Sequence, residues 1–432
     1  MRFSKNILSN IVFPITLLII AAGIVFYQFP SLPQNIALDE VEFIRLARSL
    51  ENMPYAPYSQ LATGHATLYF YMLLASIKLF GETVFAVRFP SAFFGVIDVL
   101  LLYGIFKLVF DERKKLPEIV RTVMPFFLAF IFITMRWYFN FARFGFEAST
   151  VLFFELAGIY TLFLFRKTKS LWFVFLTGIA AGLAYNSYTP GRIFFILPLI
   201  FLIWEYGSLK QIRKNLDRPV LVFIIPFILL IIPLNLYFTQ HDDNRIYELF
   251  YLQNEQLSLQ EKANYTWQNV TSLTGMFFVK GDMNGRHNYP GKPMLNPIQG
   301  ILLVGGMIIS LYNWKKYHNS FFLLYFVLGM IPPMMTYPWE NPNALRSVTV
   351  LPSVVYFMGQ SLVYITRFPL PKKWIMLGIF MLLSFSAIYE LRTYFIFQRL
   401  VFPEAFELNT NLIQPYLEGN YFLDPNKPRP TL

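Results

Sequence analysis

Apolar runs long enough to cross a lipid bilayer recur along the whole chain, and they constrain the fold more than any other feature. A spanning helix needs roughly 17–25 mostly apolar residues. The sequence is 56% hydrophobic and only 14% charged, a composition typical of an integral membrane protein. We therefore predict an all-α polytopic membrane protein with about eleven transmembrane helices, at 9–29, 84–109, 122–139, 148–165, 171–187, 192–206, 219–238, 297–312, 320–336, 347–365 and 374–391.

The basic residues set the predicted orientation. A further apolar run, 65–80, is short for a span and contains Lys78. When this run is not counted as a span, every short basic loop falls on one side of the membrane, as the positive-inside rule requires. We therefore predict that 65–80 is a helix in the outer interface and that the N-terminus is cytoplasmic. The chain would then lie in the plasma (inner) membrane. Its transmembrane domain would cover 1–391 and include two long outer loops, 30–83 and 239–296. An extracytoplasmic tail would follow at 392–432.

The excess of positive charge, +11, is explained by these membrane anchors. The basic residues flank spans and do not form one patch, which argues against a nucleic-acid partner. With no cysteine, the chain has neither disulfides nor thiolate metal ligands. No cofactor is identified from the sequence. A divalent metal held by oxygen and imidazole ligands is left open, with candidates at Asp39, Glu40, His65, Asp282 and His287.

An acidic pair, Asp39-Glu40, follows the first predicted span and is expected on the outer side. A carboxylate held at the bilayer surface can act as a general base on a lipid-borne substrate. The pair can equally cap a helix near 39–51, because acidic residues favour the first turn of a helix. Both interpretations stay open on these two residues alone.

Several arginines are also expected on the outer side, against the positive-inside bias. Each can snorkel to a lipid headgroup or pair with an acid such as Glu147. Together they favour a bound anion, and arginine suits phosphate because its planar fork bonds two oxygens at once. We therefore predict that the phosphate of a bound substrate, the donor, is contacted by Arg88, Arg143, Arg192, Arg286 and Arg346.

A phosphate at this surface implies a lipid phosphate whose chain lies between the spans. If the phosphate carries a sugar, it is a good leaving group that needs no protonation. One base for the acceptor hydroxyl and arginines for the departing phosphate would then suffice. Two alternatives remain, namely a transporter or flippase for a lipid-linked anion, with acids such as Asp98 and Glu155 inside its spans, and a polymerase or ligase that moves whole glycans.

The order of several motifs resembles a known group of membrane enzymes. Asp39-Glu40 is followed by GHATLYFYMLLASIKLFGETVFAVRFPSAFFGV, NFARFGFEAST, LAGLAYNSYTPGRIFFILP, GDMNGRHNYPGKPMLNP and ENPNALRSVTVLP. Together they resemble GT-C glycosyltransferases, nearest to the dolichyl-phosphate-mannose protein mannosyltransferase and lipid A aminoarabinose transferase group. The likeness extends over most of 36–360.

This resemblance implies a GT-C fold, a polyprenyl-phosphate sugar donor and inversion at the anomeric carbon on the outer face. It would make Asp39 the catalytic base with Glu40 in support. The acceptor would be a protein, a lipid or a polysaccharide, and membrane lipids would surround the chain. Weaker candidates for contacts with substrate are His65, Glu147, Tyr188, His287 and Asn288.

Overall fold

The computed structural model describes residues 7–205 and 217–408. Over these residues the chain is mostly helical, with little strand, as predicted. The helices that precede the second long loop are α1 (Phe13–Phe26), α2 (Leu38–Ser49), α3 (Leu68–Phe80), α4 (Val84–Asp111), α5 (Glu118–Thr134), α6 (Arg136–Phe141), α7 (Ala148–Thr168), α8 (Leu171–Tyr185), α9 (Ile196–Glu205) and α10 (Asp217–Phe238). Those that follow are α11 (Asn244–Leu249), α12 (Leu259–Gly275), α13 (Pro297–Tyr312), α14 (Tyr317–Met334), α15 (Leu351–Ile365), α16 (Lys372–Arg392) and α17 (Phe402–Ala405).

Every predicted span overlaps at least one of these helices. Across the described parts of the chain, six helices are long and apolar enough to cross a membrane: Leu8–Phe26, Val84–Asp111, Ala148–Thr168, Arg218–Phe238, Val348–Ile365 and Lys372–Leu400. Helices α8 and α13 are apolar but shorter. The chain is therefore an integral membrane protein, whereas the number of eleven spans stays a prediction.

The run at 65–80 folds as helix α3, which is also short and apolar. It is preceded by two short antiparallel strands, β1 (Tyr58–Ser59) and β2 (His65–Ala66), with Ser59 opposite His65. The turn between the strands contains a left-handed glycine, Gly64, at φ 92°. These elements fold the first outer loop back over the start of α4. Their location in the membrane interface stays a prediction.

Helix α4 is central to the bundle, since it packs against α1, α3, α5 and α7. Elsewhere, small residues let helix backbones touch, as is common between membrane helices. A Cβ atom at Gly306 in α13 would lie only 1.6 Å from the Phe357 carbonyl oxygen of α15. The 28 residues of α4 measure about 42 Å at 1.5 Å rise per residue. Features near its two ends therefore lie at opposite ends of the bundle.

Two acids inside the spans have buried tyrosine partners. The hydroxyl of Tyr138 donates to Asp98 at 3.2 Å, and that of Tyr325 donates to Glu155 at 2.5 Å. All four side chains are buried. Such pairs are typical of hydrogen bonds that join neighbouring helices.

The first part of the C-terminal tail packs back onto the first outer loop. Backbone hydrogen bonds of 3.0 Å join Ile36 and Leu408 in both directions. Phe402, Phe406 and Leu408 are buried. The segment up to residue 408 therefore covers the start of α2. The tail prediction for 409–432 lies outside the described residues.

Candidate active site

The acidic pair lies in the first turn of α2, where its two carboxylates have different surroundings. The side chain of Asp39 is 43% exposed, whereas that of Glu40 is completely buried. The two carboxylates also differ in whether they cap the helix. The Glu40 carboxylate accepts the backbone N–H of Ala37, the residue before the helix, at 3.0 Å. Glu40 therefore caps the helix, and Asp39 is the accessible carboxylate.

Glu40 also forms a buried ion pair with Arg88 of α4. Arg88 donates to both carboxylate oxygens, at 2.9 and 3.1 Å, and the backbone N–H of Gly145 donates at 2.9 Å. A Cβ atom at Gly145 would lie 2.8 Å from Val87, so the close approach needs glycine. Arg88 donates further to the carbonyls of Pro33 and Asn35. This network ties α2, α4 and the chain before α7 together.

Asp39 borders a polar cavity of about 220 Å³. The charged and imidazole side chains around it come from the first loop, the second loop and the tail: Asp39, Glu42, His65, Arg245, Arg286 and Glu407. Phe43 and Phe146 form its apolar wall. The cavity therefore combines an accessible carboxylate with two guanidinium groups in a small space.

Arg286 also lines this cavity and pairs directly with Asp39, with its Nη1 atom 2.6 Å from Oδ2 of Asp39. The loop holds Arg286 through its backbone. The Arg286 carbonyl accepts the side-chain amide of Asn140 at 2.7 Å, and its N–H donates to the side chain of Asn284 at 3.0 Å. The second outer loop thus brings a cation, separated by 247 residues in sequence, against the acid of the first loop.

His65 lies between an acid and the second cavity arginine. Its Nδ1 atom donates to Glu147 at 2.7 Å, and Nη1 of Arg245 donates to its Nε2 atom at 2.5 Å. Burial lowers the pKa of His65, the Arg245 charge lowers it further, and Glu147 opposes both effects. His65 is therefore neutral at physiological pH and acts as a fixed wall of the cavity.

Arg143 does not face the cavity, contrary to the phosphate contact that we predicted. It is completely buried. It donates to the carbonyls of Ile24, Val25, Tyr27 and Leu32 and to the Tyr394 hydroxyl, at 2.5–3.2 Å. Since all its donors have partners in the fold, Arg143 fastens the chain that leaves α1. Arg88 is enclosed in the same way and is also unavailable to a phosphate in this structure.

Arg192 and Arg346 likewise lie outside the cavity. Arg192 pairs with Asp243 at 2.6 Å, and Asp243 also accepts the Tyr58 hydroxyl at 2.9 Å. Because Asp243 caps α11, this cluster positions Arg245 two residues later. Arg346 pairs with Glu340 at 3.1 Å and lines a smaller neighbouring cavity, which Arg245 also borders.

Comparisons with known proteins point to the same fold. Residues 64–236 match the family described as dolichyl-phosphate-mannose-protein mannosyltransferase. The chain is similar to ArnT from Cupriavidus metallidurans bound to undecaprenyl phosphate, with 12% identity, a TM-score of 0.52, and coverage of 94% of this chain and 78% of that one. It is equally similar to the oligosaccharyltransferase AglB from Archaeoglobus fulgidus, in complex with an inhibitory peptide and a dolichol-phosphate, with 12% identity, a TM-score of 0.52, and coverage of 93% and 56%.

The chain has the GT-C fold. As predicted, it resembles the protein mannosyltransferase and aminoarabinose transferase group. A further match is the S. cerevisiae protein O-mannosyltransferase Pmt1-Pmt2 complex bound to the sugar donor, with 20% identity, a TM-score of 0.42 and coverage of 55% of this chain. The chain spans 35% of that yeast chain and 56% of AglB. No curated protein sequence matches it significantly.

Three of the weaker candidates for contacts with substrate also lie outside the cavity lining, namely Tyr188, His287 and Asn288. His287 donates to Asp282 at 2.8 Å, and the Asn288 side chain donates to the carbonyls of Asp282 and Lys292 at 2.9 and 2.7 Å. Both therefore shape the loop that carries Arg286. Tyr188 lies beneath Arg245 and borders the smaller cavity. In the described parts of the chain, no group of three acidic or histidine residues is arranged to hold a metal.

Three charged residues of the cavity were missing from our prediction, namely Glu42, Arg245 and Glu407. Arg245 is an outer-loop arginine in HDDNRIYEL, and the reasoning that selected Arg286 applies equally to it. Glu407 lies in the tail, and its carboxylate accepts the N–H of Leu38 at 3.1 Å. The repeated phenylalanines of FPEAFEL are a signal that this segment packs on the protein.

Proposed function

We propose that this chain is an inverting glycosyltransferase. It would move a sugar from a polyprenyl-phosphate donor to an acceptor hydroxyl at the extracytoplasmic membrane face. The observation that carries the proposal is the accessible Asp39 carboxylate, which pairs with Arg286 in the lining of a polar cavity, in a chain with the GT-C fold. The structural neighbour ArnT is bound to undecaprenyl phosphate, and AglB is in complex with a dolichol-phosphate, which supports a polyprenyl-phosphate donor here.

Asp39 is the proposed general base. Its carboxylate would take the proton of the acceptor hydroxyl as the hydroxyl oxygen attacks the anomeric carbon. The bond between this carbon and the phosphate oxygen would break, and the polyprenyl phosphate would leave with the bonding electrons. The configuration at the anomeric carbon would be inverted. Glu40 cannot share this role directly, because its carboxylate is enclosed by Arg88 and two backbone N–H groups.

Arg245 and Arg286 are the proposed phosphate ligands. Both line the cavity that Asp39 borders. In the structure, Arg286 donates to Asp39. An arriving phosphate would compete for this guanidinium group, and its capture of Arg286 would release Asp39 to accept a proton. Arg88, Arg143 and Arg192 would instead support the fold around the site, and Arg346 would border it.

The transporter alternative has less support. It requires ionisable groups along a path through the spans, whereas Asp98 and Glu155 are buried against tyrosines. The ligase or polymerase alternative shares the proposed chemistry and differs in the size of the transferred glycan.

The decisive experiment uses the purified full chain in lipid nanodiscs with a panel of polyprenyl-phosphate sugars and hydroxyl acceptors. Release of polyprenyl phosphate would be followed together with formation of the glycosylated acceptor. We expect Asp39→Asn to lower turnover by roughly 10²–10⁴-fold, the usual contribution of a general base. Glu51→Gln, which removes an acid just beyond the same helix, should retain activity. Unchanged turnover by well-folded Asp39→Asn protein would reject Asp39 as the base.

A further inference from the structure

A large cationic cavity lies at the opposite end of the bundle from the candidate active site. Its volume is about 670 Å³. It is formed by the chain that leaves α4, the ends of α7, α13 and α15, and the start of α14. Its basic side chains are Arg113, Lys114, Lys115, Arg166, Lys316 and Arg367. The proposed sugar transfer makes no use of this cavity.

The positive charge of this cavity is only partly balanced. Glu112 is the acid in its lining, and it pairs with Arg166 at 3.2 Å and with His318 at 3.1 Å. Lys114, Lys115, Lys316 and Arg367 make no ion pair with a carboxylate of the described residues. A concave site with this excess of cations attracts an anion.

Arg113 is held in place without an acid. It donates to the Tyr356 hydroxyl at 2.9 Å and to the Gln360 side chain at 3.2 Å, and it lies over the ring of Phe110, 4.9 Å from its centre. Its guanidinium group is therefore positioned by neutral groups and keeps an unbalanced charge. Rigid, weakly hydrated guanidinium groups of this kind are well suited to phosphate oxygens.

Apolar side chains lie beside these cations. Ile309 of α13 and Val363 of α15 line the cavity, and the half-exposed Tyr364 borders it. A soluble anion gains nothing from an apolar wall, whereas a lipid places its acyl chains along one. Basic pockets between the ends of membrane helices are also known sites for anionic lipid headgroups.

We propose that this cavity binds the phosphodiester headgroup of an anionic phospholipid in the leaflet opposite the candidate active site. The phosphate contacts Arg113 together with Lys114, Lys316 and Arg367, and an acyl chain lies along α13 and α15. The bound lipid joins the ends of helices that are distant in sequence, and it stabilises the bundle against unfolding.

The test measures thermal unfolding of the full chain in detergent with added phosphatidylglycerol or phosphatidylcholine, and it counts bound lipids by native mass spectrometry. We expect only phosphatidylglycerol to raise the unfolding temperature. The variant Lys114→Gln/Lys316→Gln/Arg367→Gln should bind it at least about tenfold more weakly, because it removes three of the cations that attract the phosphate. Arg367→Gln alone, at an exposed position, gives a smaller loss and serves if the triple variant does not fold.

The matched control is Lys315→Gln/Lys372→Gln/Lys373→Gln, which removes three cations close to the cavity but outside its lining. This variant should keep the full response to phosphatidylglycerol. An equal loss in both triple variants would show a general surface-charge effect and overturn the proposal. Equal stabilisation by phosphatidylcholine would also overturn it, as would displacement of phosphatidylglycerol by an equimolar amount of soluble pyrophosphate, which would identify a soluble anion as the ligand.

Discussion

Replacing Glu40 with glutamine tests whether the second acid of the pair is structural. Its carboxylate accepts four hydrogen bonds. One oxygen accepts from Nε of Arg88 and from Gly145, and the other accepts from Ala37 and from Nη2 of Arg88. In either orientation of a glutamine amide, its NH₂ group meets one backbone N–H and one N–H of Arg88. Two buried donors therefore lose their acceptor.

The size of the effect follows from these contacts. A buried donor without a partner costs about 1–3 kcal/mol, and more when it is charged. Breaking a buried ion pair by removing one partner typically costs roughly 3–5 kcal/mol. Both side chains of this pair are completely buried, so solvent cannot compensate. We expect Glu40→Gln to destabilise the protein by about 3–5 kcal/mol.

Asp39→Asn provides the contrast within the same helical turn. The Asp39 carboxylate is 43% exposed and makes an ion pair with Arg286, whose side chain is 19% exposed. Such partly solvated pairs contribute about 0–1 kcal/mol. Asp39→Asn should therefore unfold at nearly the same temperature as the native protein while losing its transfer activity.

The assay is thermal unfolding of both variants in one detergent, with transfer activity measured well below the transition. A double variant, Glu40→Gln/Arg88→Met, removes both buried charges and should lose less stability than the two single changes added together. If Glu40→Gln unfolds at the native temperature but is inactive, Glu40 takes part in the chemistry and its structural assignment is wrong. Equal destabilisation by Asp39→Asn would refute the distinction between the two acids.

Three further predictions concern residues around the cavity. Arg245→Gln and Arg286→Gln should each lower kcat/KM for a polyprenyl-phosphate sugar about 100-fold while retaining the unfolding temperature; unchanged kinetics would remove them from the phosphate site. Arg143→Ala should lower the unfolding free energy by at least about 3 kcal/mol, because its carbonyl partners lose their donor. His65 has a pKa below its ordinary 6.5, so the unfolded chain binds the proton more readily and stability falls as the pH decreases below 6.5. His65→Gln should flatten this part of the unfolding profile, whereas His241→Gln should not.

The transmembrane architecture was readable from the sequence because it follows from the length and spacing of apolar runs. The sequence also singled out Asp39, His65 and Arg286, which line one cavity, because polar residues beside the apolar runs are few; their roles stay predictions. The partners of Arg88 and Arg143 could not be predicted from the sequence. Most are backbone carbonyls between residues 24 and 35, and a sequence does not indicate which carbonyls turn toward a given side chain.

The buried arginines weaken the argument that several arginines on the predicted outer side indicate a bound anion. In the predicted topology Arg88 and Arg143 lie against the positive-inside bias, yet an acid and backbone carbonyls of the chain itself satisfy them. Their number is therefore no evidence for a bound anion. That evidence rests on Arg245 and Arg286, which line a cavity beside an accessible acid.

The two arginines of the cavity suit the charge that develops on a departing phosphate. Two of the three acids around the space have other partners: Glu407 accepts the N–H of Leu38 at the positive end of α2, and Glu42 lies beside Arg45. Asp39 is the acid that pairs with a cavity arginine, Arg286. A sugar joined to a polyprenyl phosphate carries one negative charge, which competes with Asp39 for this guanidinium group. After transfer, the departing polyprenyl phosphate carries a second negative charge while Asp39 holds the acceptor's proton. The two arginines then face the phosphate alone, so the site binds the charge that develops during the reaction more strongly than the charge present at its start.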